Sequence, residues 1–256
     1  MSRGKLDRET ALKIEESLPS VHDIQIATLN FSPDIISIRF PPESKIPIAA
    51  VCLQDATSSL EEVRYALLES LMQIVWYREK CKPPNERYAI FFGKFYADDT
   101  ALRMFAVKEH LTEAIINILG FSKQDLKDFR KNMQSDKLTN IGKSLRNTSP
   151  IHPIANPICK LVESDDWIKT MNYRNRWVHN KPPIIKGLGI NYERKNRLIV
   201  TSDSIGVTFG RGDEAELTID ELIAFVKTAF FLLVESTTEI IDYFIDYLNK
   251  NQKTEF

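Results

Sequence analysis

The sequence predicts a mainly α fold: a bundle of four to five long helices, with a small N-terminal β element and a β-hairpin insertion before the last helix. Apolar residues recur at helical spacing through most of the chain after residue 48. The first fifty residues instead alternate apolar and polar side chains, and a second alternating stretch lies at about 196–209. With 256 residues, 43% of them hydrophobic, the chain can bury a sizeable core.

The predicted β element occupies residues 1–48. After a short helix at about 7–18, the segments VHDIQIATLNF and DIISIRF alternate around a turn at SPD, which is typical of two half-buried strands. An irregular connector, PPESKIP, follows. The helical bundle is therefore predicted to cover residues 49–256.

The first two long helices are marked by their caps. Ser59 with Glu62 three residues later is a capping-box pattern, which predicts a helix starting there. A second helix is predicted from Glu86 to Leu119, with an interruption near ADDT and with Gly120 as its C-cap.

Three further helices complete the predicted bundle. A basic amphipathic helix is predicted from about Ser122 to Leu145, and another from about 158 to 180. The strands of the insertion are predicted at RLIVT and GVTF. The last helix starts at a capping box, Thr218 with Glu221, and is apolar around most of its circumference, which predicts a central position.

Composition favours a cytoplasmic protein that does not span a membrane. The three cysteines are far apart and form no CxxC pair, which favours free thiols. The charged N-terminus is unlike a signal peptide. The most apolar run, residues 223–234, contains Lys227 and is much shorter than the roughly 20 residues that a membrane span needs.

Charge is distributed unevenly along the chain. Residues 122–200 contain 16 Lys or Arg against 7 Asp or Glu, whereas residues 213–256 contain 10 acidic residues against 3 basic ones. The basic middle indicates either an anionic partner or neutralisation by the acidic C-terminal segment within the fold. The sequence leaves both interpretations open.

Motifs for common cofactors are missing from the sequence. It has no GxxxxGK[ST], no GxGxxG after a strand and no HExxH. The four histidines are not spaced as metal ligands on one element, and no glutamate is followed by a histidine three residues later. We therefore expect no metal and no cofactor.

One short stretch, NYRNRWVHNKPP at residues 172–183, stands out. Arginine and histidine are separated by four residues in Arg174–His179, but the pairs Arg103–His110 and Arg146–His152 have similar spacing. Only the pair Arg174–His179 combines a polar residue after the arginine, Asn175, with a helix end and basic neighbours. Because Pro182 disfavours helical geometry at the residue before it, the helix is predicted to end near residue 180.

With these residues, Arg174-Asn175-Arg176-Trp177-Val178-His179, the chain resembles the HEPN superfamily of helical-bundle ribonucleases and RNA-binding domains. The resemblance implies a metal-independent endoribonuclease of the kind found in toxins and phage-defence proteins, cutting RNA in a groove between the two protomers of a homodimer. An inhibitor or antitoxin protein is a possible partner under this resemblance, and the sequence leaves its presence open.

The resemblance assigns catalytic roles to Arg174, His179 and Asn175. We expect Arg176, Lys181 and Tyr173 to contact RNA, with Trp177 as another aromatic that stacks on a base. The alternative is a non-catalytic module that binds RNA, a nucleotide or a protein. In that case His179 only caps its helix, and the two aromatic residues belong to the core or to a dimer interface.

Overall fold

The structure is a computed structural model. It describes residues 6–29, 31–41, 43–122, 124–125, 136–149, 152–179, 182–188, 197–200, 205–208 and 215–251. The helices are α1 (Arg8–Glu16), α2 (His22–Leu29), α3 (Pro33–Arg39), α4 (Ile46–Val75), α5 (Glu86–Leu119), α6 (Lys137–Thr148), α7 (Ala155–Val162), α8 (Asp165–His179) and α9 (Ile219–Asn251). The predicted mainly α fold is confirmed.

Helices α4 and α5 form a long antiparallel pair. The Ser70 hydroxyl donates to the Gly93 carbonyl at 2.7 Å, and Arg103 pairs with Glu62, so residue numbers rise on one helix as they fall on the other. Close approach at the first of these contacts requires glycine, because a Cβ on Gly93 would lie 2.7 Å from Ile74 Cγ1. A π-helical turn, Trp76–Lys80, ends α4 before the link to α5.

Helix α9 is the central helix, as its sequence predicts. Phe230, Leu233 and Phe244 are completely buried. The predicted capping box is present, since the Thr218 amide donates to Glu221 Oε2 at 2.7 Å and the Glu221 amide donates to the Thr218 hydroxyl at 3.2 Å. This reciprocal pair satisfies amides that the first helical turn leaves without partners.

The predicted N-terminal β element is wrong, because residues 22–29 and 33–39 form α2 and α3. Helical geometry lets Ile24 and Thr28, one turn apart, face α4 together, and both are buried. Phe31 then packs edge-on against Phe244 of α9, with ring centroids 5.1 Å apart. Tertiary packing thus overrides the local preference of these β-branched segments for strands.

The start of the first long helix was also predicted too late. Helix α4 begins at Ile46, so Ser59 and Glu62 lie inside it, and the predicted domain boundary at residue 48 falls in its first turn. The extra turns are stabilised by small and apolar side chains such as Ala49 and Leu53, which are completely buried. The predicted interruption near ADDT is wrong as well, whereas the Gly120 C-cap is confirmed with φ 66°.

Shorter helices differ from their predicted bounds. The basic helix predicted from Ser122 to Leu145 is described from Lys137 to Thr148, with Asp136 as its N-cap, and residues 126–135 lie outside the described part of the chain. The helix predicted at about 158–180 is two helices, α7 and α8, separated at Glu163 and Ser164.

The insertion between α8 and α9 is closed at its base. Strands β1 (Arg197–Val200) and β2 (Ile205–Thr208) pair antiparallel. Nearer the helices, the Glu216 amide donates to the Ile184 carbonyl at 2.9 Å and the Lys186 amide donates to the Leu217 carbonyl at 2.8 Å. These hydrogen bonds fix both ends of the insertion beside the C-terminal end of α8. No helix among the described residues is long and apolar enough to span a membrane.

Candidate active site at the end of helix α8

Helix α8 carries the predicted site and is anchored along one face. Trp167, Thr170 and Tyr173, spaced three residues apart, are buried against the bundle. Asp165 and Asp166 in the first turn, and Arg176 and His179 in the last, match the direction of the helix dipole. The helix ends at His179, as predicted, and Lys181 lies outside the described residues, so its predicted contact with RNA stays a prediction.

The structure separates the three arginine–histidine pairs that the sequence could not separate by spacing. Arg103 is occupied by two carboxylates, since its Nε donates to Asp99 at 2.9 Å and its Nη1 donates to Glu62. Those bonds, the one to Asp99 first, raise the pKa of Arg103, so the guanidinium stays protonated while two carboxylates offset its charge. His110, on the same helix, is half-buried.

The residues of the second pair, Arg146 and His152, also have partners within the chain. Both oxygens of Glu163 accept from Arg146 Nη1, at 2.7 and 2.9 Å. His152 Nδ1 accepts from the Ile154 amide at 3.3 Å, and its ring lies 5.3 Å from that of Tyr243. Partial burial lowers the pKa of His152, which disfavours its protonated form.

Arg174 has a different environment. Its guanidinium carbon lies 3.7 Å from the centroid of the Phe105 ring on α5, and its Nη1 donates to Asn175 Oδ1 at 3.1 Å. Among the described residues no carboxylate forms an ion pair with Arg174, and no acceptor reaches its buried Nε. Burial lowers the pKa of Arg174, opposed by the more distant charge of Glu109. Arg174 is thus a positioned cation whose charge is not neutralised by an ion pair.

His179 and Asn175 lie on one exposed face of α8. They are four residues apart, so their side chains are neighbours on the helix surface, and both are exposed. Arg174 is about 140° from His179 around the axis. Asn175 contacts one of these residues and neighbours the other: it accepts a hydrogen bond from Arg174 and shares a face of the helix with His179. The end of α8 therefore offers an imidazole and an amide on one exposed face, and a cation about 140° away around the helix axis.

Tyr173 has a structural position instead of the predicted contact with RNA. Only 3% of its surface is exposed, so it has no free ring face on which a base could stack. Its hydroxyl donates to Asp98 Oδ1, and Asp98 also pairs with Lys94 at 2.6 Å. Burial, followed by the negative charge of Asp98, raises the pKa of Tyr173 well above its usual range. Tyr173 ties α8 to α5, and Trp177, which is partly exposed, is the aromatic left at this end of α8.

Arg176 is occupied by a carboxylate of its own chain. Its Nη2 donates to Glu216 Oε1 at 2.8 Å, and its Nη1 donates to the other oxygen. The pair raises the pKa of Arg176 and lowers that of Glu216. The predicted phosphate contact of Arg176 would require this ion pair to open, so we assign Arg176 to holding the base of the insertion against α8.

A surface groove lies on the other side of α8 from Arg174. It has a volume of about 610 Å³ between α8 and α9, and its walls include Lys169, Arg176, Glu216 and Glu221. Its cations face carboxylates, and the groove includes none of Arg174, Asn175 and His179. We therefore place the candidate site at Arg174, Asn175 and His179 and not in this groove.

Sequence reasoning missed Phe105, Asp98 and Glu216, which set the environment of Arg174, Tyr173 and Arg176. All three lie far from α8 in the sequence, and no motif marks them. Among the described residues, no cluster of three or more His, Cys, Asp or Glu side chains could hold a metal ion.

Comparison with known proteins finds no similar protein by sequence or by structure. No protein-family model matches the chain, and searches of curated proteins and of solved structures find no significant match.

Proposed function

We propose that this protein is an RNA endonuclease of the HEPN type, with Arg174, Asn175 and His179 as its catalytic residues and without a catalytic metal. The observation that carries the proposal is the contrast among the three arginine–histidine pairs. The charges of Arg103 and Arg146 are offset by carboxylates, whereas Arg174 is held in place by an aromatic ring and an amide and has no such counterion among the described residues. A cation that stabilises a phosphoryl transition state needs both position and charge.

The chemistry uses the RNA itself as nucleophile. The 2′-oxygen attacks the adjacent phosphorus while the bond from phosphorus to the 5′-oxygen breaks, which leaves a 2′,3′-cyclic phosphate and a free 5′-hydroxyl. His179 accepts the 2′-hydroxyl proton or donates a proton to the leaving oxygen, a role suited to a solvent-exposed imidazole. Arg174 stabilises the charge on the pentacoordinate phosphorus, and Asn175 keeps the guanidinium in place.

A second copy of the chain completes the site in this proposal. Because Arg174 and His179 point about 140° apart on one helix, a single α8 does not direct both side chains at one phosphate. Two α8 helices facing each other would supply a cation from one protomer and an imidazole from the other. Exposure of His179 and Asn175 in the single chain is compatible with such a groove.

The decisive experiment measures cleavage of a single-stranded RNA in buffer containing EDTA. We expect product with a 2′,3′-cyclic phosphate, and loss of cleavage in His179→Ala and in Arg174→Ala. His22→Ala and Arg39→Ala are matched controls, since both residues are exposed and lie in the N-terminal helices. Both control variants should keep full activity.

Two outcomes would contradict the proposal in different ways. Cleavage that survives both His179→Ala and Arg174→Ala would place the active site elsewhere. Salt-dependent RNA binding that is lost in Arg174→Ala, without product from the wild type, would favour the non-catalytic binding module instead.

A further inference from the structure

The outer face of α5 carries an exposed aromatic stripe, which we define as Tyr88, Phe91 and Phe95. Their exposed fractions are 39%, 51% and 60%, high values for such large apolar side chains. Spacings of three and four residues place the three rings in one row along the helix. The same spacing is that of the apolar seam between two packed helices.

The aromatic stripe is held in place from behind. Tyr77, from the π-helical turn, stacks on Phe92 with centroids 5.4 Å apart and contacts Tyr88 edge-on at 5.5 Å. Phe92 in turn contacts Phe91 at 5.1 Å. Aromatic side chains whose rotamers are fixed by packing lose little conformational entropy when a partner covers them.

The row continues beyond the stripe, where α8 already covers it. The next positions at the same spacing are Asp98, Leu102 and Phe105. Asp98 accepts from the Tyr173 hydroxyl, and Phe105 lies under the Arg174 guanidinium. One half of the seam is therefore packed within the chain, and the other half, the aromatic stripe, is open.

We propose that the aromatic stripe pairs with the same stripe of a second copy of this chain, with the two α5 helices antiparallel about a two-fold axis. A two-fold interface requires a surface that is complementary to itself. In the antiparallel register that sets Phe91 against Phe95 of the second copy, Arg87 lies opposite Asp99 of that copy. Arg87 is exposed, and Asp99 has an exposed side-chain fraction of 41%. Asp99 Oδ2 accepts from Arg103 at 2.9 Å, which leaves Oδ1 to accept from Arg87 of the second copy across the rim.

The shape of the surface beside the stripe supports the same pairing. A groove of about 380 Å³ lies next to Phe91 and Phe95, bounded by Arg87, Lys94 and Leu188. An aromatic side chain from the second copy can enter this groove, which is how anchor residues bind at many interfaces.

The size of the stripe sets the expected strength of the dimer. Three half-exposed aromatic side chains offer roughly 300 Å² per copy. A standard stable interface buries about 800 Å² per partner. Because the stripe offers less than half of that area, we expect a weak dimer, with a dissociation constant of about 10–100 µM.

This dimer would also place the two α8 helices next to the interface, because Asp98 and Phe105 of the same seam contact Tyr173 and Arg174. The idea that the two α8 helices then form a shared RNA groove rests on the proposed function. The pairing itself does not, and it is measurable without RNA.

The test is sedimentation velocity of the full chain over a concentration series from 1 to about 100 µM. We expect a monomer–dimer equilibrium for the wild type and a dissociation constant at least tenfold higher for Phe95→Glu and for Phe91→Glu. The matched control is Ile38→Glu on α3, because Ile38 is 86% exposed, more than the other large apolar side chains in the described part of the chain. Circular dichroism and thermal unfolding of each variant show whether the fold is retained.

The register has its own test. Arg87→Glu and Asp99→Lys should each weaken the dimer, and the two substitutions together should restore it, because the charges exchange places across the rim. Asp99→Lys also removes an acceptor of Arg103, so thermal unfolding of that single variant is measured beside the wild type. Wild-type protein that stays monomeric at 100 µM, or Phe95→Glu and Phe91→Glu variants that dimerise like the wild type, would overturn the proposed surface. Failure of the second substitution to restore the dimer would overturn the antiparallel register.

Failures of this inference and of the proposed function are distinguishable. A dimer that depends on Phe95 but does not cleave RNA supports the surface and contradicts the enzyme. RNA cleavage by a protein whose dimerisation is unaffected by Phe95→Glu supports the enzyme and contradicts the surface. A folded Phe95→Glu variant that loses RNA binding, measured against a wild type that is monomeric throughout, would make the stripe an RNA-stacking surface instead.

Discussion

Arg174 and Arg176, two residues apart on α8, differ in what surrounds them. Arg176 meets a carboxylate, Glu216, and belongs to the contacts that hold the base of the insertion. Arg174 meets the face of Phe105 and an amide oxygen. An aromatic face attracts a cation without cancelling its net charge, whereas a carboxylate cancels it. The difference shows that the surroundings of a basic residue, more than its presence in a motif, decide whether it can act on a phosphate.

The largest expected effect separates the two arginines by activity. If the protein cleaves RNA as proposed, Arg174→Ala should lower kcat about 100- to 1000-fold, the loss typical of one transition-state donor. Arg176→Ala should change kcat by less than about threefold, because surface ion pairs contribute little. Single-turnover cleavage assays with both variants measure the difference. Equal losses of kcat in the two variants would show that Arg174 and Arg176 do not differ in their contribution to cleavage.

The next effect concerns Tyr173, which anchors α8 to α5 one residue before Arg174. Tyr173→Phe removes the hydroxyl that donates to Asp98 and leaves a nearly buried carboxylate with fewer donors. We expect the free energy of unfolding to fall by about 1–3 kcal/mol, as for other buried hydrogen bonds to charged groups. Urea denaturation measures this change. Tyr88→Phe is the control, since Tyr88 is exposed on α5, and it should change stability by less than about 0.5 kcal/mol.

A smaller effect tests the contact that holds Arg174. Lys108 also lies over the Phe105 ring, at 4.1 Å, so two cations contact this one side chain. A double-mutant cycle with Phe105→Leu and Arg174→Met should give a coupling free energy of about 0.5–2 kcal/mol. The same cycle with Arg176→Met in place of Arg174→Met should give a value near zero. A coupling of the same size in both cycles would show that the effect is not specific to Arg174.

The smallest effect is a pH dependence at Arg176. Because Arg176 lowers the pKa of Glu216 in the folded protein below its ordinary value of 4.5, the pair stabilises the fold above that pH. The stabilisation should be lost as the pH falls from 4.5 through the lower folded value. Both side chains are more than one-third exposed, so we expect only about 0.2–1 kcal/mol.

The free energy of unfolding of the wild type and of Glu216→Gln, compared between pH 3 and pH 7, measures the stabilisation by this ion pair. The two stability curves should converge at the acidic end of the range. A difference that persists unchanged at low pH would assign the effect of the substitution to packing.

The sequence allowed the long helices to be predicted because their apolar residues repeat over many turns. The Thr218–Glu221 capping box and Gly120 also marked true helix ends, since these signals are local. Ser59 and Glu62 form the same pattern inside α4, where the buried residues before them continue the helix. A local signal therefore failed where tertiary contacts extended the element beyond it.

The site was predictable in part. The end of α8 and the exposure of His179 agree with the motif and with Pro182 after it. The occupied states of Tyr173 and Arg176 depend on Asp98 and Glu216, which the chain brings in from 75 and 40 residues away. No pattern within α8 contains that information. Only the folded structure shows that Arg176 has a carboxylate partner and that Arg174 contacts an aromatic ring instead.

The clamp at Ile184, Lys186, Glu216 and Leu217 has a consequence for redesign. Because the two ends of the insertion already meet through backbone hydrogen bonds, the length of chain between them does not set the position of α8 or α9. The insertion can be shortened, lengthened or replaced by a reporter peptide while the helix that carries His179 keeps its place. The protein thus has a natural attachment point beside its candidate active site.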